Sequence, residues 1–492
     1  MSYLYEILAR CRRADSALDT SHGVHTYGDL LDRAAELEVV LGEHGVTPGT
    51  PVGLAPLDGL DLYASVAVLS RLGCAVVTFA ANDPVNERRR LSRLGVRHLV
   101  VAGADGRTTV EALDIPAAGG ARVPAGCAYV ISTSGSTASP KNVPISDDNL
   151  RSFGAYVQGL SCLSARDRMA QNYTTTFDGF FLIVVLAWSS GACVVLPRLR
   201  ENLLVATFVE ERGVTVWNSV PSQLRLARRL GRLGAGSMPG LRLCVLAGEP
   251  LLPDLVAELR AAAPGATVVN LYGPSEVTIG STTYVVAPGE ELRLVDGKIP
   301  IGPVFPQVES LLVPADTDED GTPLFELCLR GPQRLVGYAD PADDVGRFYA
   351  GETVADLVAT DTPDERSWYR SGDLVTPSEF GLVYQGRRTR EVKVMGRRID
   401  LAKVEAALLR DPRVLTARAL VANDQVVAVV EGEPGDGAEI AAGELRPYAR
   451  PARVVWTPAM PTLPNGKTDM RAVDRMVDDP TPTTEERTSI AK

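Results

Sequence analysis

Helical and strand patterns alternate along most of this chain, and that rhythm constrains its fold more than any other feature. Tyr27 to Leu41 places Leu30, Leu31, Ala34, Leu37, Val40 and Leu41 at helical spacing, and Val52 to Ala55 then reads as a short buried strand. Leu62 to Leu72 is helical again and Cys74 to Phe79 strand-like. Leu203 to Glu211 before Val214 to Trp217, and Leu252 to Ala262 before Thr267 to Leu271, repeat the order. Strands that alternate with helices imply parallel sheets covered on both faces. The predicted fold class is α/β, with a large N-terminal body of mainly parallel sheets covered by helices. At 492 residues the chain is longer than one core usually supports, so a second unit is expected.

The character changes near residue 385. Gly386 to Ile399, GRRTREVKVMGRRI, carries six Arg and Lys residues. A helical LAKVEAALL follows, then two strand patterns, Val414 to Ala422 and Gln425 to Val430, joined by the hairpin pair Asn423-Asp424. We therefore expect a core over residues 1–387, a compact α+β domain over 388–476 and a disordered tail, polar and rich in Pro and Thr, over 477–492.

Charge and composition exclude several classes. A net charge of −11 argues against a nucleic-acid partner, which needs a basic face. The longest uninterrupted apolar run, Phe180 to Trp188, is far short of a bilayer span, and the N-terminus has no signal-peptide pattern. No membrane association is expected, and the cytoplasm is the expected location. Seven cysteines lie singly, with no CxxC pair, and read as buried thiols in a reducing compartment. The four histidines, His22, His25, His44 and His98, fall outside every motif below, which disfavours Ser-His-Asp and Cys-His hydrolases. His22 and His25 resemble a metal pair in spacing, but no third ligand is in view and a loop is the better reading.

The most informative stretch is YVISTSGSTASPK, from Tyr129 to Lys141. Ala128 to Ile131 reads as a buried strand, and Ser132 onward as a flexible hydroxyl-rich loop closed by Pro140 and Lys141. Such a loop can surround a polyphosphate, because glycine lets backbone N–H groups approach and lysine supplies a mobile point charge. The Walker A spacing is absent, and by itself the stretch reads equally as a surface loop. Downstream, NLYGPSE ends a strand in a turn displaying Tyr272 and Glu276. YRSGDL sets Asp373 after another turn, and LPNGK puts Lys467 on a tight Asn-Gly turn. If both acids lie at the carboxyl ends of strands in an α/β sheet, they lie where ligands bind.

Each motif alone reads as a surface turn, but together and in this order they resemble the adenylate-forming superfamily. That superfamily contains acyl-CoA synthetases, luciferases and the adenylation domains of nonribosomal peptide synthetases. The resemblance runs from about Thr26 to Asp469 and includes FDGFF from Phe177, VTVWNSVP from Val214, GEPL from Gly248, IPIGPV from Ile299, Gly337-Tyr338 and GRRTREVKVMGRRID. It implies that the C-terminal domain is a small mobile α+β lid. No condensation or carrier domain fits within 492 residues, so a freestanding enzyme similar to the D-alanine carrier protein ligases is expected.

In such enzymes a carboxylate attacks the α-phosphate of ATP, giving acyl-AMP and pyrophosphate, and a thiol or amine then takes the acyl group. An anion must approach a polyanion, so positioned cations supply much of the catalysis. The resemblance implies that Thr133, Ser134, Gly135, Ser136, Thr137 and Lys141 hold the β- and γ-phosphates and that Glu276 binds Mg2+. It also implies that Tyr272 stacks on adenine, that Asp373 accepts the ribose hydroxyls with Arg387 nearby, and that Lys467 bridges the substrate carboxylate and the α-phosphate. Ala138 and Asn142 replace glycines of the usual loop, and Thr389 replaces an aspartate of the usual hinge. A hinge needs only to absorb a backbone rotation, so that last change bears on the hinge assignment more than on activity.

Matched without gaps to amino-acid-activating members, Asp178 falls where a carboxylate pairs the substrate's α-ammonium. Its other reading is an N-cap for the apolar helix that follows. The FD spacing favours the first. The pocket walls would then be Gly179, Leu182, Asn218, Val245, Ala247, Leu271, Ile279 and Gly280, none of them charged. An alanine- or serine-like amino acid is expected, with an acyl or peptidyl carrier protein as partner, loaded on its phosphopantetheine thiol or on the amine of an aminoacyl group already carried. The alternative is an acyl- or aryl-CoA synthetase. A non-catalytic nucleotide-binding relative is disfavoured by the joint presence of Lys141, Glu276, Asp373 and Lys467.

Overall fold

The computed structural model describes residues 2–81, 83–114, 123–133, 141–198, 201, 204–317, 321–388, 391–394, 397–411, 413–422, 425–433, 445, 449–462 and 468–478. The chain divides into two compact units, Met1–Gln385 and Gly386–Lys492, two residues before the expected boundary at 387.

In the first unit an eight-stranded sheet runs in the order Thr282–Val286, Thr267–Tyr272, Leu243–Ala247, Val216–Ser219, Arg168–Ala170, Cys193–Val195, Ser16–Thr20 and Gly23–Thr26. Its inner pairs are parallel and its two outermost pairs antiparallel. A second sheet orders Thr108–Ala112, His98–Ala102, Val52–Leu54, Val76–Thr78, Cys127–Thr133 and Lys141–Ser146, again parallel inside and antiparallel at both edges.

One core joins the two sheets through the helix Gly179–Ser190. Its residues from Gly179 to Trp188 are all buried, as the unbroken apolar run demands. Phe181 stacks on Tyr129 of the second sheet, with ring centroids 3.9 Å apart, and belongs to the same cluster as Val245 and Val269 of the first. The far face of the first sheet meets the helices Val205–Glu211 and Pro253–Ala262 through Trp217, Cys244, Leu246 and Val268. Helix Tyr27–Glu43 begins at a capping box between Thr26 and Asp29 and buries Leu30, Ala34, Leu37 and Leu41.

The helix–strand rhythm does not predict the third sheet. It is antiparallel and built from Glu309–Thr317, Pro323–Arg330, Trp368–Ser378, Phe348–Ala350, Val358–Thr360 and Gly381–Arg387. Register shifts between Pro314 and Asp316, and between Glu326 and Cys328, interrupt the in–out alternation that would have marked its strands.

The second unit packs three strands between two helices. Val414–Ala422 pairs antiparallel with Gln425–Gly432, Ala422 facing Gln425, while the turn residues Asn423 and Asp424 lie outside the described residues. Arg453–Thr457 adds in parallel. Val426, Ala428 and Val430 face the helix Leu401–Leu408, and Val427 and Val429 face the helix Met470–Asp478. That last helix passes the expected tail boundary at 476, because Val473 and Val477 complete the core on its side. Among the described residues no helix is long and apolar enough to cross a membrane.

Candidate active site

The strand Thr267–Tyr272 ends at the carboxyl edge of the parallel sheet, where open α/β sheets bind ligands. The chain then folds back on itself within nine residues to reach the strand Thr282–Val286. A Cβ on Gly273 would lie 2.5 Å from the Gly280 Cα, so this return admits no side chain. Thr278 and Ile279 adopt positive φ angles of 51° and 67°, a conformation that β-branched residues avoid. Gln333 holds them there. Its carbonyl accepts from the Thr278 hydroxyl at 2.5 Å, and its side-chain amide donates to the Gly280 carbonyl at 2.8 Å. Backbone strain over-determined by its surroundings clusters at functional sites.

On this return sits Glu276, whose carboxylate is only 8% exposed with the rest of the residue. Its Oε1 accepts a hydrogen bond from the Tyr338 hydroxyl at 2.7 Å. The face of the same tyrosine ring lies 4.7 Å from the Lys141 ammonium. Lys141 is the first residue of an edge strand, directly opposite Thr133. The expectation of a mobile charge at a loop tip is therefore corrected. Lys141 is buried and tethered, donating to the Asp343 carbonyl at 2.8 Å, with the Asp343 carboxylate at 3.5 Å. Burial, then the charge of Arg347, lowers its pKa, while Asp343 and Glu276 oppose the shift.

Asp373 is also placed otherwise than expected. It lies inside the antiparallel strand Trp368–Ser378, not at the end of a parallel one. Gly372, with φ 71°, and the register shift opposite it break the pleat and turn the carboxylate aside. The Asp373 Oδ2 accepts from the Tyr272 hydroxyl at 2.6 Å, and the Tyr272 ring lies 6.1 Å from that of Tyr384. An ionised carboxylate has about four lone-pair positions, more than the single hydroxyl of Tyr272 takes up.

Asp178 occupies the N-cap position of the buried helix without capping it. Its backbone is already helical and its side chain makes no capping bond. The carboxylate, in a residue 4% exposed, accepts from the Ser275 hydroxyl at 2.6 Å, which links the helix to the return bearing Glu276. Burial, and then the charge of Asp178, push the phenols of Tyr129 and Tyr173 well above their ordinary range. Leu182, Val245, Leu271 and Ile279 are buried in one cluster, with Ala247 packed against it. Asn218, Val245 and Val269 share a rung of the sheet, and Ala247 and Leu271 share the next in line. A Cβ on Gly179 would strike the Tyr173 ring at 2.7 Å, so that glycine is sterically required, and one on Gly280 would press on the end of the Leu271 side chain at 2.5 Å.

Ser134, Gly135, Ser136, Thr137 and Lys467 lie outside the described residues, as does Thr389. Arg387 closes the strand Gly381–Arg387 and is exposed, in the second unit. Sequence reasoning assigned no role to Tyr338, Ser275 or Gln333. Gly337-Tyr338 was visible as a motif, but its meaning depends on residues far away in the chain.

The buried carboxylate of Glu276 suits Mg2+, which takes most of its shell from phosphate oxygens and water. Among the described residues there is no cluster of three acidic, histidine or cysteine ligands. A buried lysine and two buried acids gathered near one strand end suit a nucleotide-activating enzyme. The chain belongs to the AMP-binding enzyme family, whose model matches residues 8–339. It is an adenylating ligase, with ATP and Mg2+ as its cofactors.

The chain is similar to an L-proline–[L-prolyl-carrier protein] ligase of Pseudomonas fluorescens, at 28% identity over 96% of this chain and 98% of that protein. It is 29% identical to the phosphinothricin tripeptide synthetase PhsB of Streptomyces viridochromogenes over 93% of this chain, but spans only 40% of that protein's length. The crystal structure of IdnL7 superposes with a TM-score of 0.77 at 28% identity, covering 97% of this chain and 98% of that one.

Proposed function

We propose that the enzyme activates a small α-amino acid, alanine- or serine-like, as aminoacyl-AMP. It then passes the acyl group to a separate acyl or peptidyl carrier protein, on the pantetheine thiol or on the amine of an aminoacyl group already there. The observation that carries this reading is Asp178, a buried carboxylate that does not cap its helix and is aimed by Ser275. A substrate α-ammonium offers such a carboxylate both an opposite charge and hydrogen-bond donors. The prolyl-carrier protein ligase among the relatives supports an amino acid as substrate and a carrier protein as partner. All seven cysteines are free thiols, which suits a cytoplasmic location.

In this reading one carboxylate oxygen of the amino acid bonds to the α-phosphorus as the bond to pyrophosphate breaks. The carrier's nucleophile later gives up its proton, takes the acyl group and releases AMP. Asp178 holds the ammonium, while Tyr272 and Asp373 hold the nucleoside. Thr133 and Lys141, with Ser134, Gly135, Ser136 and Thr137, hold the phosphates. Glu276 would hold Mg2+, which screens phosphate charge. The parts of Lys467 and Arg387 rest on the resemblance.

The test is amino-acid-dependent pyrophosphate release over all common amino acids at matched concentration. The expected best substrates are small and uncharged. Strong preference for phenylalanine, tryptophan, lysine or glutamate would overturn the wall assignment. Turnover of fatty or aromatic acids with free CoA would replace the reading with a CoA synthetase.

A further inference from the structure

We propose that the activated amino acid carries an uncharged hydroxyl or amide in its side chain, and that Asn218 is the residue that recognises it. This rests on the amino-acid reading above and narrows it. Asn218 is 0% exposed, yet neither its Oδ1 nor its Nδ2 has a hydrogen-bond partner among the described residues. More than nine in ten buried polar groups are paired, so a primary amide with both ends unmet calls for a cause. A ligand whose own donor and acceptor meet the amide supplies one.

The orientation of the strand supports this. Side chains alternate along Val216–Ser219. On one side the Trp217 indole N–H donates to the Ser219 hydroxyl at 2.8 Å, so the polar groups there satisfy each other. Asn218 points the other way, on the rung of Val245 and Val269, which belong to the cluster that holds Leu182, Leu271 and Ile279. Its own carbonyl is occupied, accepting from the Asn172 side chain at 3.0 Å. Asn172 precedes Tyr173, whose buried hydroxyl is likewise without a partner among the described residues, as is that of Tyr129. Both phenols feel the charge of Asp178. Asn172 thus ties the strand of Asn218 to the segment of Tyr173, one of the two unmet phenols in the field of the carboxylate expected to hold the ammonium.

The amide also selects the kind of group. Oδ1 accepts and Nδ2 donates, so a partner that does both at once, a hydroxyl or a primary amide, satisfies both ends. A methyl or methylene satisfies neither and leaves them buried. A site built on such a hydrogen bond rejects the apolar analogue far more strongly than an apolar pocket separates homologues differing by one methylene.

The experiment compares kcat/KM in pyrophosphate release by the full-length enzyme for near-isosteric pairs: serine with 2-aminobutyrate, threonine with valine, asparagine with leucine. The expected result is at least one pair in which the polar member is favoured by about 10²-fold or more. In Asn218→Leu that ratio is expected to collapse towards one, with ATP affinity measured on the same protein as the control for folding. The pairwise comparison on the wild-type enzyme needs no variant, so a misfolded substitution leaves the proposal testable. An apolar member preferred in every pair, or a ratio unchanged in a folded Asn218→Leu, would overturn the inference and leave the amino-acid reading standing. Absence of turnover with any amino acid would overturn that reading, and this inference with it.

Discussion

Two sets of buried acids in the first unit are handled in opposite ways. Asp19, on the strand Ser16–Thr20, is clamped by Arg212 at 2.7 Å and by Arg168, and Arg212 holds Glu201 at 2.8 Å as well. Burial works to raise the Asp19 pKa, but the hydrogen bonds and charges of the two arginines outweigh it and hold the carboxyl below its ordinary range. Asp178, Glu276 and Asp373 instead accept from the hydroxyls of Ser275, Tyr338 and Tyr272. An arginine cancels a carboxylate's charge inside the protein, whereas a hydroxyl donates a hydrogen bond without adding an opposite charge. The first arrangement joins strands and helices; the second, in the function proposed above, presents an acid to a ligand.

The comparison predicts that the two kinds of acid fail differently. Asp19→Ala leaves two guanidinium groups facing a vacancy and is expected to cost about 3–5 kcal/mol of unfolding free energy, with kcat/KM of the folded enzyme within about two-fold of wild type. A urea titration beside steady-state kinetics checks both, and lost activity at unchanged stability would place Asp19 with the site acids. Glu276→Gln is the converse, since the amide oxygen still accepts from Tyr338. It is expected to lower adenylation by about 10²-fold at fixed Mg2+, with stability within about 0.5 kcal/mol of wild type.

A smaller effect sharpens the role of the hydroxyls. Tyr338→Phe keeps the ring beneath Lys141 and removes the hydrogen bond to Glu276. The Mg2+ concentration for half-maximal activity is expected to rise about ten-fold, equivalent to about 1.4 kcal/mol, the scale of a hydrogen bond to a charged group. An unchanged Mg2+ dependence would reduce Tyr338 to packing.

The smallest effect is on the acid limb of stability. The folded pKa of Asp19 lies below its ordinary value of 3.8, so its contribution is complete above that value and is lost as pH falls through the folded pKa. Wild type is therefore expected to lose stability more steeply than Asp19→Ala below about pH 4, as read from denaturant midpoints. Parallel curves would mean that Asp19 titrates alike in both states.

Much of the fold was legible because burial leaves a mark in short windows. The alternation of helical and strand patterns announced parallel sheets covered on both faces, and Val52 to Ala55 and Cys74 to Phe79 contain two of their strands. The antiparallel sheet was illegible because bulges and the turn at Gly372 break its period of two. That is also why Asp373, read as following a turn, lies within a strand. The site acids were visible as motif positions, but the groups that aim them were not. Tyr338 reaches Glu276 across 62 positions and Asp178 meets Ser275 across 97, separations over which no local pattern carries information. The unmet amide of Asn218 is likewise a property of packing and not of composition.

In the proposed function Asp178 meets the ammonium of the substrate, and the substitution that tests this pairing is Asp178→Asn. The substitution keeps the side-chain volume and an acceptor for Ser275 while removing the charge. The measurement is kcat/KM for the best amino acid in pyrophosphate release, with the ATP dissociation constant determined on the same preparation. We predict a fall in kcat/KM of at least about 10²-fold, corresponding to about 3–5 kcal/mol for a buried charge left without its partner, and an ATP affinity within about two-fold of wild type. A variant that activates its amino acid as well as wild type would make Asp178 a packing residue and contradict the claim.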